Sequence, residues 1–412
     1  MGDRGSIARR DFLRYTGVGA SALLAGLPAM SAPAAPSRGA AGFTPDVEIE
    51  LTAVADVIAL RPGPATPIWS YRARVLKGNP ATVQPMPDSY LGPTLRLVRG
   101  QQVRIHFING LDQPSIVHWH GLHVPETMDG HPRFVVHPGS RFCYEFEVRN
   151  RAGTYWYHPH PHAYTAEQMY FGLAGLIVVS DAAEQALALP RGEQDLPIII
   201  QDRILDADNR MHYLPGSGPH GAQDETTDDV TPAMPGFPGV TGFFGDTILI
   251  NGRADTTFEV GTCAYRLRIL NASNSRTYRL AWRDRRPLDV IATDGGLLEE
   301  PIRRDYVMLA PAQRIEVWVD FSRDEIGTEP ALMSLAFTES ANTTHNSTLA
   351  PGARFPLCQF RIARETEADL DLPQQLATGD MPQVQDAVNR DHPRIFNITN
   401  DRYQWGINRL LK

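Results

Sequence analysis

Nine of the thirteen histidines in this 412-residue chain fall between His106 and His162. Four of them form two His-x-His pairs, His118-Trp119-His120 and His158-Pro159-His160. On a β-strand, residues i and i+2 point to the same face about 6–7 Å apart, so each pair can offer two imidazoles to neighbouring metal positions. Imidazole suits copper, zinc, iron and nickel, and copper leads in affinity. A single pair is ordinarily solvent-facing or packed. Two pairs forty residues apart, both set among aromatic residues (Trp119; Tyr155, Trp156, Tyr157), point instead to a metal site.

Strands have to position these pairs, and the sequence reads as all-β. Apolar residues alternate with others in Val103–Phe107 and in Phe142–Val148, the period-2 pattern of a half-buried strand. Gly175–Val179 is continuously apolar, which suits a strand buried on both faces. A charged, Ala-rich connector from Asp181 to Asp195, with room for a short helix, leads to a second β block. Its strands are read at Leu196–Ile200, Thr247–Ile250, Tyr265–Leu270, Ile315–Val319 and Cys358–Ile362, with a Gly/Pro-rich surface loop over Met211–Gly242. A further strand is expected to begin within Pro393–Ile398.

The 34 Gly and 33 Pro recur between short apolar runs, the punctuation of a chain with many turns. With 42% hydrophobic and 21% charged residues, disorder and collagen-like repeats are excluded, and the length allows two or three domains. The formal charge of −8 argues against a nucleic-acid partner. No apolar run has the length of a membrane span. Cys143, Cys263 and Cys358 are odd in number and far apart, so they read as buried thiols rather than a disulfide framework or a CxxC metal pair.

Residues 1–41 read as a signal peptide. Ala8-Arg9-Arg10-Asp11-Phe12-Leu13-Arg14 is a twin-arginine pattern, followed by an apolar stretch from Thr16 to Met30 and small residues suited to cleavage. Five Arg and two Asp lie in this segment, so the remainder carries a formal charge of −11. A periplasmic or exported protein is expected, delivered folded through the twin-arginine pathway.

The surroundings of the histidine pairs carry a resemblance. Gly92-Pro93-Thr94-Leu95, His118-Trp119-His120-Gly121-Leu122, Met128-Asp129-Gly130 and Gly153-Thr154-Tyr155-Trp156-Tyr157-His158-Pro159-His160, continuing to Gly172–Val178, resemble the first cupredoxin domain of multicopper oxidases. The second block continues it in Gln201-Asp202-Arg203, Gly245–Gly252, Leu270–Arg276 and Asp294-Gly295-Gly296-Leu297-Leu298. The resemblance implies two consecutive cupredoxin-like Greek-key β-sandwich domains: 42–182 with the His-x-His motifs, a linker at 183–195, a ligand-free middle domain at 196–365, and at 366–412 a linker with the start of a third.

It also implies a mechanism. In this family a type 1 copper takes electrons singly from a reducing substrate, and a trinuclear copper cluster held by four His-x-His motifs uses them to reduce O2 to water. By motif matching, His118 corresponds to a ligand of the type 2 copper, and His120, His158 and His160 to ligands of the type 3 pair. Asp129, eleven residues after His118, resembles the acid that helps pass protons to bound oxygen; it also reads as a turn residue in an Asp-Gly step. His123 and His162 are expected to hydrogen-bond around the pairs, and His131, His137, His212 and His220 to face solvent.

Beyond Leu187 the only histidines are His212, His220, His345 and His392, none in a pair, and neither Cys263 nor Cys358 is flanked by His. The ligands of the type 1 copper and half of the trinuclear site are therefore expected to be missing from the chain. Three readings stay open. One is an exported laccase-like or cuprous-oxidase-like enzyme, truncated and inactive alone, whose full-length relatives use O2 and a phenolic or metal-ion reductant. Another is a non-enzymatic periplasmic binding protein of the family's cell-division type, and the last is a copper-buffering protein. A monomer without a membrane span is expected in each case.

Overall fold

A computed structural model describes residues 42–213, 242–338, 347–366, 370–378, 384–401, 404–408 and 410–411. The signal-peptide reading and His220 and His345 lie outside the described residues. Among the described residues no helix is long and apolar enough to cross a membrane.

Nine strands build the first block: β1 (Val47–Ile58), β2 (Thr66–Lys77), β3 (Val83–Gln84), β4 (Thr94–Val98), β5 (Gln102–Asn109), β6 (Val117–His120), β7 (Arg141–Glu147), β8 (Gly153–Pro159) and β9 (Gly175–Ser180). They form two sheets, ordered β2-β1-β5-β7 and β3-β4-β9-β8-β6. Strand β1 shows why: Val47, Ile49, Leu51 and Ala53 alternate inward against polar neighbours, as a half-buried strand requires. Strand β8 is buried along its whole length, because its outer face is covered as well. A helix, α1 (Thr165–Tyr170), follows β8, and α2 (Ala182–Gln185) occupies the connector, capped by the Asp181 carboxylate accepting from Glu184 N–H.

The second block comprises β10 (Asp195–Leu205), β11 (Met211–His212), β12 (Thr247–Ile250), β13 (Thr257–Gly261), β14 (Ala264–Asn271), β15 (Tyr278–Trp282), β16 (Leu288–Thr293), β17 (Gly296–Arg304), β18 (Val307–Leu309), β19 (Arg314–Asp320), β20 (Ala331–Ser334) and β21 (Phe355–Arg364). One sheet runs β11-β10-β14-β19-β16-β17 with β12 also on β10, the other β13-β21-β20-β15-β18. A hairpin sheet of β22 (Ile398–Asp401), β23 (Gln404–Ile407) and β24 (Leu410–Leu411) ends the description. The strand expected within Pro393–Ile398 therefore starts only at Ile398; the residues before it are irregular, as a leading proline without an N–H donor allows. Of the expected loop over Met211–Gly242, Met211 and His212 pair with β10, and 214–241 lies outside the described residues.

The two blocks share apolar packing, since Ile199, Met211, Phe243, Leu249, Leu270 and Ala272 belong to the same buried cluster as Trp69, Trp119 and Tyr157. They also share a buried ionic cluster. Glu316 on β19 accepts from Arg266 Nε at 2.7 Å and Arg268 Nη1 at 2.8 Å, while Arg266 reaches Glu184 and Arg268 reaches Asp195, each at 2.6 Å. The Thr154 hydroxyl of β8 donates to Glu316 at 2.7 Å and accepts from Arg268 at 3.0 Å. The second block thus grips the start of the strand that carries His158. All three cysteines are buried, as expected.

Candidate metal centre

Strands β6 and β8 pair antiparallel with His118 opposite His158 and His120 opposite Trp156. Period-2 geometry then puts His118, His120, Trp156 and His158 on one face, while Trp119 and Tyr157 turn into the core on the other. His118, His120 and His158 each offer a ring nitrogen, and these nitrogens lie within 4.8 Å of one another. His160, just past β8, lies outside that group of three. Its ring centroid is 5.4 Å from that of His118 and 6.1 Å from that of His158.

The ring orientations are set by neighbours. His118 Nδ1 lies 2.7 Å from the Asp129 carbonyl oxygen and 3.2 Å from its Oδ1. A carbonyl only accepts, so Nδ1 carries the proton there and Nε2 is left for another partner. His158 is fixed in the same way, its Nδ1 donating to the Pro159 carbonyl at 2.8 Å. His120 Nδ1 sits 3.2 Å from His158 Nε2, and because His158 carries its proton on Nδ1, His120 is the donor of that pair. The Trp156 ring covers both, with centroids 4.3 Å from His158 and 5.0 Å from His120.

Electrostatics divides the rings. Burial, reinforced by the charges of Arg314 and His118, pushes His120 down to about 4. Burial likewise holds His158 well below the usual histidine value, aided by the other three imidazoles. Burial acts the same way on His118, but Asp129 outweighs it through its carboxylate and carbonyl, and the ring is raised above 6.5. Near neutral pH two of the three clustered rings therefore present unprotonated nitrogens.

Gly130 explains how Asp129 reaches His118. It is buried with φ of +77°, and a Cβ there would lie 2.2 Å from the Val117 carbonyl oxygen of β6. Gly130→Ala is expected to lower unfolding stability by about 2 kcal/mol or more, from left-handed strain plus displacement of β6. An unchanged urea midpoint at unchanged slope would count against this account.

Other histidines fall away from the cluster. His123 and His162 are exposed, and so are His131, His137, His212 and His392. His106 pairs with Glu48 at 2.6 Å on the outer face of the other sheet. Two neighbours of the cluster are not evident from histidine spacing. Trp156 is placed by register and by its position two residues before His158, and Arg314 arrives from the second block, which no local pattern announces.

Comparison with known proteins gives a consistent picture. Two family models, both described as multicopper oxidase, match residues 69–184 and 222–348. The multicopper oxidase mco of Staphylococcus aureus is 35% identical over 247 residues, covering 60% of this chain and 50% of that protein. The cell division protein FtsP of Escherichia coli (strain K12) is 33% identical over 331 residues, covering 78% of this chain and 62% of that protein. The crystal structure of the McoA multicopper oxidase from the hyperthermophile Aquifex aeolicus superposes with a TM-score of 0.71 at 30% identity, covering 89% of this chain and 72% of that one. The chain spans about half to three-fifths of the length of the curated relatives it matches.

Proposed function

The chain belongs to the multicopper oxidase family, and from that premise we propose that His118, His120, His158 and His160 hold copper in the oxygen-reducing centre of such an oxidase. Residues 42–182 are then the histidine-bearing cupredoxin domain and 196–365 a ligand-free partner domain. The observation that carries the reading is the convergence of three ring nitrogens within 4.8 Å on one face of paired strands. The donor set fits the metal: imidazoles, two of them held neutral by burial, with carbonyl and carboxylate partners of the kind that orient ligating histidines. Copper held there would supply one-electron chemistry, which full-length members of the family use to pass electrons from a small reducing substrate, phenolic or metal ion, to O2.

The chain's own residues prepare that step. Asp129 and the Pro159 carbonyl hold the Nδ1 protons of His118 and His158, which aims both Nε2 atoms into the cluster. His120 can offer Nδ1 by moving its proton round to Nε2, with no net loss. The Asp129 side chain is 41% exposed while its Oδ1 lies 3.2 Å from His118 Nδ1, so it reaches from solvent to the cluster, the placement that an acid passing protons to the centre would need. Export by the twin-arginine route suits a cluster that exists only once β6 and β8 have paired.

Copper titration of the full chain tests the reading. Asp129 makes the His118 ring hold its proton more tightly than an ordinary imidazole, so it must give up a proton to take a cation, whereas His120 and His158, both lowered, need not. Stoichiometric Cu(II) binding accompanied by proton release that falls as pH rises is the expected result. No binding would instead favour a copper-free role, a reading supported by the long match to FtsP.

A further inference from the structure

Among the described residues the second block adds no imidazole to the cluster, yet it brings a charge to it. Arg314, at the start of β19, is buried, and its guanidinium is fixed on several sides. Nε donates to the Thr154 carbonyl at 3.2 Å, Nη1 to the Ala312 carbonyl at 2.9 Å, and Nη2 to the Asp294 carbonyl at 3.2 Å. Its counter-charge is the Asp294 carboxylate at 2.9 Å, whose side chain is 46% exposed. The fork packs into the space that Gly121 leaves by having no side chain: a Cβ there would lie 3.0 Å from Nη2. Gly121 directly follows His120, so the guanidinium lies against the residue next to a ring of the cluster.

We propose that Arg314 is a positioning residue whose fixed positive charge sets the balance between Cu(II) and Cu(I) in the histidine cluster, with Asp294 as its counterweight. This rests on the copper reading above. A guanidinium does not lose its proton, and a buried charge is screened far less than an exposed one. It therefore repels a divalent ion about twice as strongly as a monovalent ion at the same place, which favours Cu(I). Asp294 offsets the charge incompletely, because its own carboxylate is half in water. The Asp294-Gly295-Gly296 run gains a function from this. Its first residue holds Arg314 through side chain, backbone carbonyl and the Arg314 N–H, which donates to Asp294 Oδ1 at 2.7 Å.

The test is separate titration of the full chain with Cu(II) and with Cu(I) under anaerobic conditions, each against a chromogenic competitor chelator. Arg314→Gln is expected to raise the ratio of Cu(II) to Cu(I) affinity about tenfold, equivalent to about 59 mV in potential for one electron. Asp294→Asn is expected to lower the same ratio several-fold. Both variants break one ion pair, so a merely structural role moves the ratio the same way in both or leaves it alone, and either result overturns the proposal. If Arg314→Gln does not fold, the direction of the Asp294→Asn change decides alone, since that side chain is partly exposed. Wild-type protein that binds neither ion would sink the copper reading itself, an outcome distinct from binding with an unmoved ratio.

Discussion

Replacing Glu316 by Gln is expected to cost about 3–5 kcal/mol of unfolding free energy, the range for removing one partner of a buried ion pair. The carboxylate is 1% exposed and accepts from Arg266, Arg268 and Thr154. Its removal leaves Arg266 and Arg268 facing only Glu184 and Asp195, with Arg96 and Arg191 drawing on the same two acids. The pH dependence has a definite sign. Burial pushes the Glu316 carboxyl up, but Arg266 and Arg268 with the Thr154 hydroxyl outweigh it and hold it below 4.5. Burial raises Asp195 likewise, and Arg268, Arg266 and Arg96 hold it below 3.8. Groups depressed in the folded state stabilise it above their unfolded values, and that stability is lost as pH falls through the folded ones. The wild-type protein should therefore lose stability from about pH 4.5 downward, and the Gln variant should show a flatter acid limb in urea unfolding. Equal limbs would show that the cluster is not what couples folding to protons.

The largest expected effect on binding comes from removing two clustered rings at once. His120→Ala with His158→Ala takes away both members of the 3.2 Å pair and should weaken copper binding by at least about 100-fold, more than loss of a supporting partner to a ligand does. His123→Ala and His162→Ala, on exposed rings, should leave it unchanged. Competition titration with circular dichroism as a folding control separates the cases. A comparable loss in the exposed-ring variants would mean that copper is held by scattered surface imidazoles and not by the cluster.

The strands that alternate most clearly were legible in the sequence because alternation is a local property. Val103–Phe107 lies within β5, Tyr265–Leu270 lies within β14, and Phe142–Val148 overlaps β7 except for Val148, one residue past its end. The facing of the first histidine pair followed from the same rule, since His118 and His120 share one side of β6, whereas His160 lies just past the end of β8 and outside the clustered three. What pairs with what is set by contacts distant in sequence. Nothing near His118 says that His158 stands opposite it, or that Trp156 stands opposite His120. Arg266 and Arg268 make the point most sharply. Their alternation with Tyr265, Leu267 and Ile269 matches a strand with one solvated face, yet both arginines are buried, because that face is closed by α2, the connector and the start of β8. Local pattern separates the two faces of a strand, and tertiary packing decides what covers the polar one.

The buried cysteines bear on how this chain handles a reactive metal. Only thiolate binds copper strongly or is readily oxidised by it. Burial, with the Glu145 charge beside it, pushes Cys143 up to about 11, and burial alone raises Cys358 further still. At these two positions sulfur is thereby withdrawn from competition with nitrogen. On the proposed reading, copper arriving at the protein would meet the clustered imidazoles before a Cys143 or Cys358 thiolate, so loading would neither consume those two thiols' reducing equivalents nor strand the ion beside them.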